Sequence, residues 1–283
     1  MMMARDFLAT VRSGLSTRYT VEREIGRGGG ACVFLARSPK GQPVALKVLH
    51  PELLVSVAAD RFLREIEFAR RLDHPHIARL LDSGDEGWLV YYAMTYADGP
   101  SLRQQLDAKG PLPLDDVQRL AADVLSALGY AHAQGVIHRD VKPENVVLTG
   151  TGAILLDFGI ARAVQVSGGN QLTRAGTTLG TASYMSPEQI QGGGGVDHRT
   201  DLYATGCLLF EAVAGRPPFN HPNLMLVLHQ HMHESPPDLR QLRPETAPAL
   251  IETINRALAK EQDARWASAA EMLAALGAPV AAG

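Results

Sequence analysis

In the N-terminal third of the chain, apolar residues come in short runs separated by turn chemistry. Tyr19-Thr20-Val21, Cys32-Val33-Phe34-Leu35-Ala36, Pro43-Val44-Ala45-Leu46-Lys47-Val48-Leu49, Arg79-Leu80-Leu81-Asp82 and Trp88-Leu89-Val90-Tyr91-Tyr92 have the length and composition of strands. Ser38-Pro39-Lys40-Gly41-Gln42 and Gly84-Asp85-Glu86-Gly87 are turns, so the runs predict hairpins. One segment breaks the rhythm: over 59–72, Phe62, Leu63, Ile66 and Ala69 recur at helical spacing until His74-Pro75 ends the pattern. Ala97-Asp98-Gly99-Pro100 marks a boundary, and a linker is expected over 94–99.

Beyond it the period is helical. Val117, Leu120, Ala121, Val124, Leu128 and Ala131 make one apolar stripe. Residues 202–214 are almost continuously apolar or small, which predicts a buried helix, and 250–259 and 267–276 predict two more. Residues 157–188 are irregular and rich in Gly, Ser and Thr; a connection that long within a domain points to function. The glycine run 192–195 predicts a flexible surface connection.

Composition narrows the class. At 283 residues, with 46% hydrophobic and 20% charged residues, the chain fits one large domain or one domain of two lobes. A net charge of -3 gives no support for a nucleic-acid or anionic-membrane surface. Cys32 and Cys207 lie far apart, form no metal-ligand spacing, and suit a reducing compartment. No apolar run reaches the roughly 18–20 residues needed to span a bilayer. A cytoplasmic location is expected, including as the catalytic part of a longer membrane-anchored protein. His229, His231 and His233 sit at helical spacing, but no carboxylate or Cys completes a metal set, so a solvated helix face is expected. Trp88 and Trp266 are expected to be core or partly buried anchors.

The chemistry starts with Gly26-x-Gly28-x-x-Ala31-x-Val33. Glycines let backbone N–H groups approach phosphate oxygens closely. Here they lie between two strands, which disfavours nucleotide loops that open a helix. Taken alone, the pattern fits a plain hairpin turn equally well. Lys47 ends an apolar strand segment and needs an anion. On the following helix, Glu65 falls about 60° from Phe62 on the apolar face and Glu67 about 140° away on the solvent face. A carboxylate on an apolar face needs a cation, so Lys47 and Glu65 are the expected pair.

Three further segments complete the set: Val136-Ile137-His138-Arg139-Asp140-Val141-Lys142-Pro143-Glu144-Asn145, then Ile154-Leu155-Leu156-Asp157-Phe158-Gly159, then Gly180-Thr181-Ala182-Ser183-Tyr184-Met185-Ser186-Pro187-Glu188. In this order, over nearly the whole chain, they resemble the bacterial eukaryotic-type serine/threonine protein kinases. The resemblance implies an α+β fold of two lobes: a small antiparallel β-sheet lobe over 18–95 and a larger helical lobe over 96–276, flanked by 1–17 and 277–283.

It also implies roles. Asp140 is the base or hydroxyl-orienting residue, Lys142 places positive charge at the transferring phosphoryl, and Thr181 bonds both. Lys47 and Glu65 serve the nucleotide phosphates. Asn145 and Asp157 hold Mg²⁺, with Mn²⁺ as an alternative; both offer the oxygen donors a hard cation prefers. Gly26, Arg27 and Gly28 cover the phosphates of ATP. Val33, Ala45 and Val147 enclose the adenine, Met94 closes the back of that pocket, and the backbone through Tyr96 and Ala97 reaches the adenine edge. His138 and Phe158 belong to an internal packing spine, Asp201 caps the catalytic loop, and Glu188 and Arg265 pair in the interior.

Implied partners are proteins with Ser or Thr acceptors, and a second copy of the chain for trans-autophosphorylation. The implied target is Thr173, Thr177 or Thr178, with Arg139 as the phosphate's partner. Two departures stand out. Ala31 replaces the loop's third glycine, and Ala69 is small for a spine position. Two rival functions are a nucleotide-binding scaffold without turnover and a small-molecule phosphotransferase. The complete residue set argues against the first. The long segment closed by Ser186-Pro187-Glu188 argues against the second.

Overall fold

Strand alternation builds the first part of the molecule. In the computed structural model, β1 (Thr20–Arg27), β2 (Ala31–Arg37), β3 (Pro43–Leu49), β4 (Leu80–Glu86) and β5 (Leu89–Thr95) form one antiparallel sheet in the order β1-β2-β3-β5-β4. The structure describes residues 2–28, 30–50, 63, 66–86, 89–158, 179–192 and 194–277. Directly paired residues share a face. Lys47 is opposite Val33 and Tyr92, and Ala45 is opposite Leu35 and Met94, so these six side chains lie on one face. Cys32, Phe34, Ala36, Val44, Leu46, Val48, Tyr91 and Ala93 take the other and are all buried.

That second face is covered by a helix the sequence reading left out. Residues 1–17 were expected to be a flanking segment, but Met2–Gly14 is a helix, α1. Val11 and Leu15 are fully buried against the sheet, with Phe7 and Leu8 packed alongside. Each fully buried Val or Leu is worth about 1.5–3 kcal/mol, enough to hold a short helix that would not persist alone. Of the helix expected over 59–72, the described part ends in a turn at Phe68–Arg71, with Ile66, Ala69 and Leu72 buried and Glu67 exposed as predicted. Phe62 and Glu65 lie outside the described residues.

The second part is helical. The apolar stripe forms α3 (Leu114–Ala133), and all six of its predicted residues are buried; α2 (Leu102–Lys109) precedes it, capped by Ser101. The predicted buried helix is α4 (Arg199–Ala214), buried at every position from Thr200 to Val213. Gly206 admits α6 (Pro248–Ala257): a Cβ there would meet the Cβ of Ala257 at 2.9 Å. Helix α7 (Ala269–Ala275) packs on α3, where Gly129 faces Ala269. A two-stranded hairpin, β6 (Val146–Thr149) and β7 (Gly152–Leu155), follows residues 136–145.

Helix α5 (Leu224–His233) corrects one expectation. His229 and His233 are exposed, but His231 is fully buried, bonded through Nδ1 to the Tyr203 hydroxyl at 2.8 Å and packed on Phe219. Burial, with the nearby Lys260 charge, pushes its pKa down to about 3, so it stays neutral. Among the described residues no group of His, Cys, Asp and Glu is placed to hold a metal by itself. Both cysteines are buried and free. Trp266 is partly buried, donates Nε1–H to Thr253, and lies under the Arg256 guanidinium; Trp88 lies outside the described residues.

The chain divides into two compact units, and the division differs from the one expected from sequence. The sheet unit takes in α1 and extends through Ala97, since β5 runs on to Thr95. His74–Ile77 belongs to the helical unit. Leu155 N–H donates to the His76 carbonyl at 2.9 Å, and the His76 ring bonds Ala153 O and pairs with Asp123.

Candidate active site

The loop 136–145 is fixed by one carboxylate. Asp201, fully buried near the start of α4, accepts from the backbone N–H of His138 (2.8 Å) and of Arg139 (2.7 Å) and from His132 Nε2 (2.8 Å). Burial alone would raise its pKa. The His132 hydrogen bond, the His132 and His138 rings and the His138 backbone N–H outweigh burial and hold it below the ordinary value. Arg139 has φ +67°, a region non-glycine residues seldom occupy. It is held there from both sides, because its carbonyl also accepts from Gln189 Nε2 at 3.0 Å.

The His138 ring extends the scaffold. Its Nε2 lies 2.6 Å from the Leu156 carbonyl, an acceptor, so Nε2 carries the proton and Nδ1 accepts the Asp140 N–H at 3.2 Å. Phe158 packs edge-on against this ring, centroids 4.6 Å apart. Asp140 is thereby held with its carboxylate partly exposed.

Lys142 brings three predicted residues together. Its Nζ lies 2.8 Å from Asp140 Oδ2 and donates to Thr181 Oγ1 at 3.2 Å. Thr181 thus reaches Asp140 through Lys142. Asn145, buried, donates Nδ2 to the Asp140 carbonyl (2.7 Å) and to its Oδ2 (3.0 Å). With the nitrogen committed to Asp140, the amide oxygen is the atom left for a cation. The Asn145 carbonyl accepts from Leu156 N–H at 2.8 Å, and Val146 pairs with Leu155, so Asn145 and Asp157 flank the same end of the β6–β7 hairpin. Asp157 has φ +63°, tolerated by Asp better than by most residues. An amide oxygen and a carboxylate, from residues that flank one hairpin end, are donors of the kind Mg²⁺ takes, since it binds few protein oxygens and keeps water on its remaining positions. Val147, buried in β6, follows directly.

The segment after Thr181 is pinned to α4 and beyond. Tyr184 donates its hydroxyl to Glu211, a buried carboxylate that also pairs with Arg103 at 2.6 Å. Burial and the Glu211 charge push the Tyr184 pKa up. Glu188 accepts two bonds from Arg265, at 2.9 and 2.8 Å, and one from Thr200. Burial works against its charge, yet Arg265 and Thr200 bring its pKa down to about 2.

In the sheet unit, Val33, Ala45, Lys47 and Met94 share the face away from α1, and Gly26 pairs with Val33. The Gly28 N–H donates to Ala31 O at 2.9 Å and closes the hairpin end. Arg27 turns aside to Glu24, through two bonds at 2.8 and 2.7 Å. The Lys47 ammonium lies 5.8 Å from the Tyr92 ring centroid. Tyr96 and Ala97 follow β5, half-buried. Glu65, Gly159, Thr173, Thr177 and Thr178 lie outside the described residues, so the pairing of Lys47 with Glu65 is not placed.

Sequence reasoning missed Gln189 and His132 as supports. Gln189 had a cue: Ser186-Pro187-Glu188-Gln189 is a capping-box spacing, and Gln189 Oε1 does accept the Ser186 N–H at 3.1 Å. His132 had none, since its role depends on Asp201, far away in sequence.

Comparison with known proteins agrees with this geometry. The family model described as the protein kinase domain matches residues 19–275. Serine/threonine-protein kinase PknB of Mycobacterium tuberculosis is 39% identical over 274 residues, covering 94% of this chain and 44% of the relative. Serine/threonine-protein kinase pkn3 of Myxococcus xanthus is 41% identical over 275 residues, covering 93% of this chain and 50% of the relative. The chain thus spans half or less of the length of these curated relatives. Among solved structures, Rad53 residues 1–466 in complex with AMP-PNP superposes with a TM-score of 0.75 at 23% identity, covering 92% of this chain and 65% of that one. That likeness shows the two-lobed kinase fold. Among the described residues no helix is long and apolar enough to cross a membrane. The sheet-plus-helix architecture and the family match over residues 19–275 together establish that this chain belongs to the protein kinase family.

Proposed function

We propose that this chain is a serine/threonine protein kinase that transfers the γ-phosphoryl group of ATP to hydroxyls of protein substrates. The observation that carries this is the convergence of Asp140, Lys142, Asn145 and Thr181 in one hydrogen-bonded group. Phosphoryl transfer is mainly a matter of holding two oxygens in line and offsetting charge. The Asp140 carboxylate orients the acceptor hydroxyl and takes its proton as the new P–O bond forms and the γ-phosphorus bond to the β,γ-bridging oxygen breaks, releasing ADP. Lys142, held between Asp140 and Thr181, offsets negative charge on the transferring group. Asn145 and Asp157 would hold Mg²⁺, which when bound neutralises and aligns the phosphates.

In the sheet unit, Lys47 contacts the phosphates, with Glu65 as its partner, while Gly26, Arg27 and Gly28 cover them. Val33, Ala45, Met94 and Val147 line the adenine site, and the backbone of Tyr96 and Ala97 bonds its edge. Serine and threonine acceptors are favoured by the Lys142–Thr181 pair, which the resemblance ties to that branch. Autophosphorylation at Thr173, Thr177 or Thr178, in trans between two copies, would place about −1.5 to −2 charges within reach of Arg139 and raise activity.

The test is transfer of labelled phosphate from [γ-³²P]ATP to a basic protein, with and without a magnesium chelator. Metal-dependent label on serine and threonine is expected. ATP binding without any transfer would leave the chain a nucleotide-binding scaffold.

A further inference from the structure

Helix α1 lies outside the residues matched by the kinase family model, which begin at Tyr19, yet it is docked with Val11 and Leu15 fully buried. Its contacts fall at both ends of the β1–β2 hairpin that carries Gly26 and Gly28. At the glycine end, the Phe7 ring centroid lies 6.2 Å from that of Phe34 and 5.7 Å from that of His50. His50 in turn touches the glycine turn and the start of β2: its backbone N–H donates to Gly30 O at 3.0 Å, and its Nε2 is 3.8 Å from Cys32 Sγ. At the far end, the Arg12 guanidinium donates Nε–H to Val21 O at 2.9 Å and a second N–H to Glu22 O. These carbonyls belong to β1, the edge strand of the sheet.

β1 has reason to need such support. Its pairing with β2 shifts register twice, between Val21 and Arg23 and between Glu24 and Gly26. Bulges bend and twist a strand, so pairing with β2 alone leaves the path of β1 weakly fixed. The first shift lies where Arg12 binds, and the second lies beside the first loop glycine. Gly14 brings the end of α1 close to β5, since a Cβ there would meet Leu89 Cδ1 at 2.5 Å. The helix is therefore attached to the sheet's interior at one point and to its irregular edge at another.

We propose that α1 is a positioning element for the glycine hairpin. It sets the path of β1 from the face opposite Lys47 and thereby places the Gly26 and Gly28 backbone for the nucleotide phosphates. Arg12 and Phe7 act through β1 and His50 and are not themselves catalytic. The inference rests on the kinase assignment. A helix that only covers apolar surface would affect stability and leave nucleotide affinity alone.

The experiment uses the full chain and the variants Arg12→Lys, Arg12→Gln, Phe7→Ala and the double Arg12→Gln/Phe7→Ala. Arg12 is exposed and its substitution removes no buried apolar group, so that variant folds even if Phe7→Ala is weakened. Three quantities are read: KM and kcat for Mg-ATP, melting temperature, and amide exchange over residues 26–31. Arg12→Gln, which loses two charge-assisted bonds at an exposed site, and Phe7→Ala, which loses the ring contacts to Phe34 and His50, are each expected to raise KM for ATP about threefold, and the double variant about tenfold, with kcat within about twofold. Arg12→Lys, which keeps one donor group, should fall between wild type and Arg12→Gln. Exchange over 26–31 should quicken while β3 and β5 stay protected. A lower melting temperature with unchanged KM and unchanged exchange would overturn the proposal, as would no change in any quantity. If the unsubstituted chain fails to bind Mg-ATP, the kinase assignment falls first and this proposal with it.

Discussion

The helical unit holds two carboxylate–cation pairs with the same 2.8 Å separation and opposite surroundings. In Glu188–Arg265 the side chains are 8% and 0% exposed; in Asp140–Lys142 they are 31% and 16% exposed. Arg265 is saturated, donating to both Glu188 oxygens and to the carbonyls of Ala259, Lys260 and Arg199. No room is left for another reactant, so the pair joins the end of the 180–188 segment to the loop before α7 and does nothing else. Asp140 is held from behind, by His138 at its backbone N–H and by Asn145 at its carbonyl and one carboxylate oxygen, and keeps solvent access. The difference teaches that burial suits charge pairs to different roles: the dry, saturated pair is built to hold shape, and the supported but accessible one is open to the chemistry proposed for it.

The sharpest way to break this comparison is to remove one half of the buried pair. Arg265→Ala leaves Glu188 buried without its cation and is expected to destabilise the protein by about 3–5 kcal/mol. Urea unfolding reads this, and a loss below about 1 kcal/mol would mean the pair is not the anchor described. Replacing both partners by Leu and Met should recover much of the loss, because the desolvated charges go together.

The same pair makes a pH prediction. Glu188 has its pKa depressed to about 2 from the ordinary 4.5. A carboxyl depressed by folding contributes stability fully above its unfolded value and loses it as pH falls through the folded one. The contribution should therefore hold at neutral pH and vanish between about 4.5 and 2. Acid unfolding of the Glu188→Gln variant should lack that component; an unchanged acid limb contradicts the assignment.

Within the accessible pair, Thr181→Ala removes the bond that orients Lys142. A loss of one charge-assisted hydrogen bond should lower kcat about tenfold with little change in melting temperature. An equal effect on KM for ATP alone would place Thr181 in binding rather than in the chemical step. The smallest effect is expected at Glu67, a half-exposed carboxylate paired with Arg70 and bonded to Ser83. Glu67→Ala should change stability by less than about 0.5 kcal/mol and leave turnover alone. A large loss of activity would show that the helix-face argument separating it from Glu65 is wrong.

How far the sequence carried this account varied with the range of the contacts. Short apolar runs and period located the strands, the α3 stripe and the buried α4, because one element's own residues define its faces, but β4 runs on to Glu86 through most of the turn expected over 84–87. Resemblance supplied Asp140, Lys142, Asn145, Asp157 and Thr181, and the structure brings four of them into one bonded group with Asp157 beside it. Long-range packing was the blind spot. His231 looked like one of three solvated histidines until Tyr203 and Phe219, from elsewhere in the chain, enclosed it. His74–Ile77 reads as a break after a helix, yet Ile77 bridges to Leu155 and the segment joins the helical unit. α1 did leave a trace, in the spacing of Phe7, Leu8, Val11 and Leu15, but a short stripe near a terminus carries little weight until a sheet face is found for it.

The central claim is that Asp140 performs the chemistry on a scaffold that does not depend on its charge. The direct measurement is turnover of Asp140→Asn with Mg-ATP and a protein substrate, together with its nucleotide affinity and melting temperature. The account predicts a fall in kcat of about 10²–10⁴, with ATP still bound and the melting temperature within a few degrees of wild type. Near-normal turnover in that variant, or unfolding in place of inactivation, would contradict it.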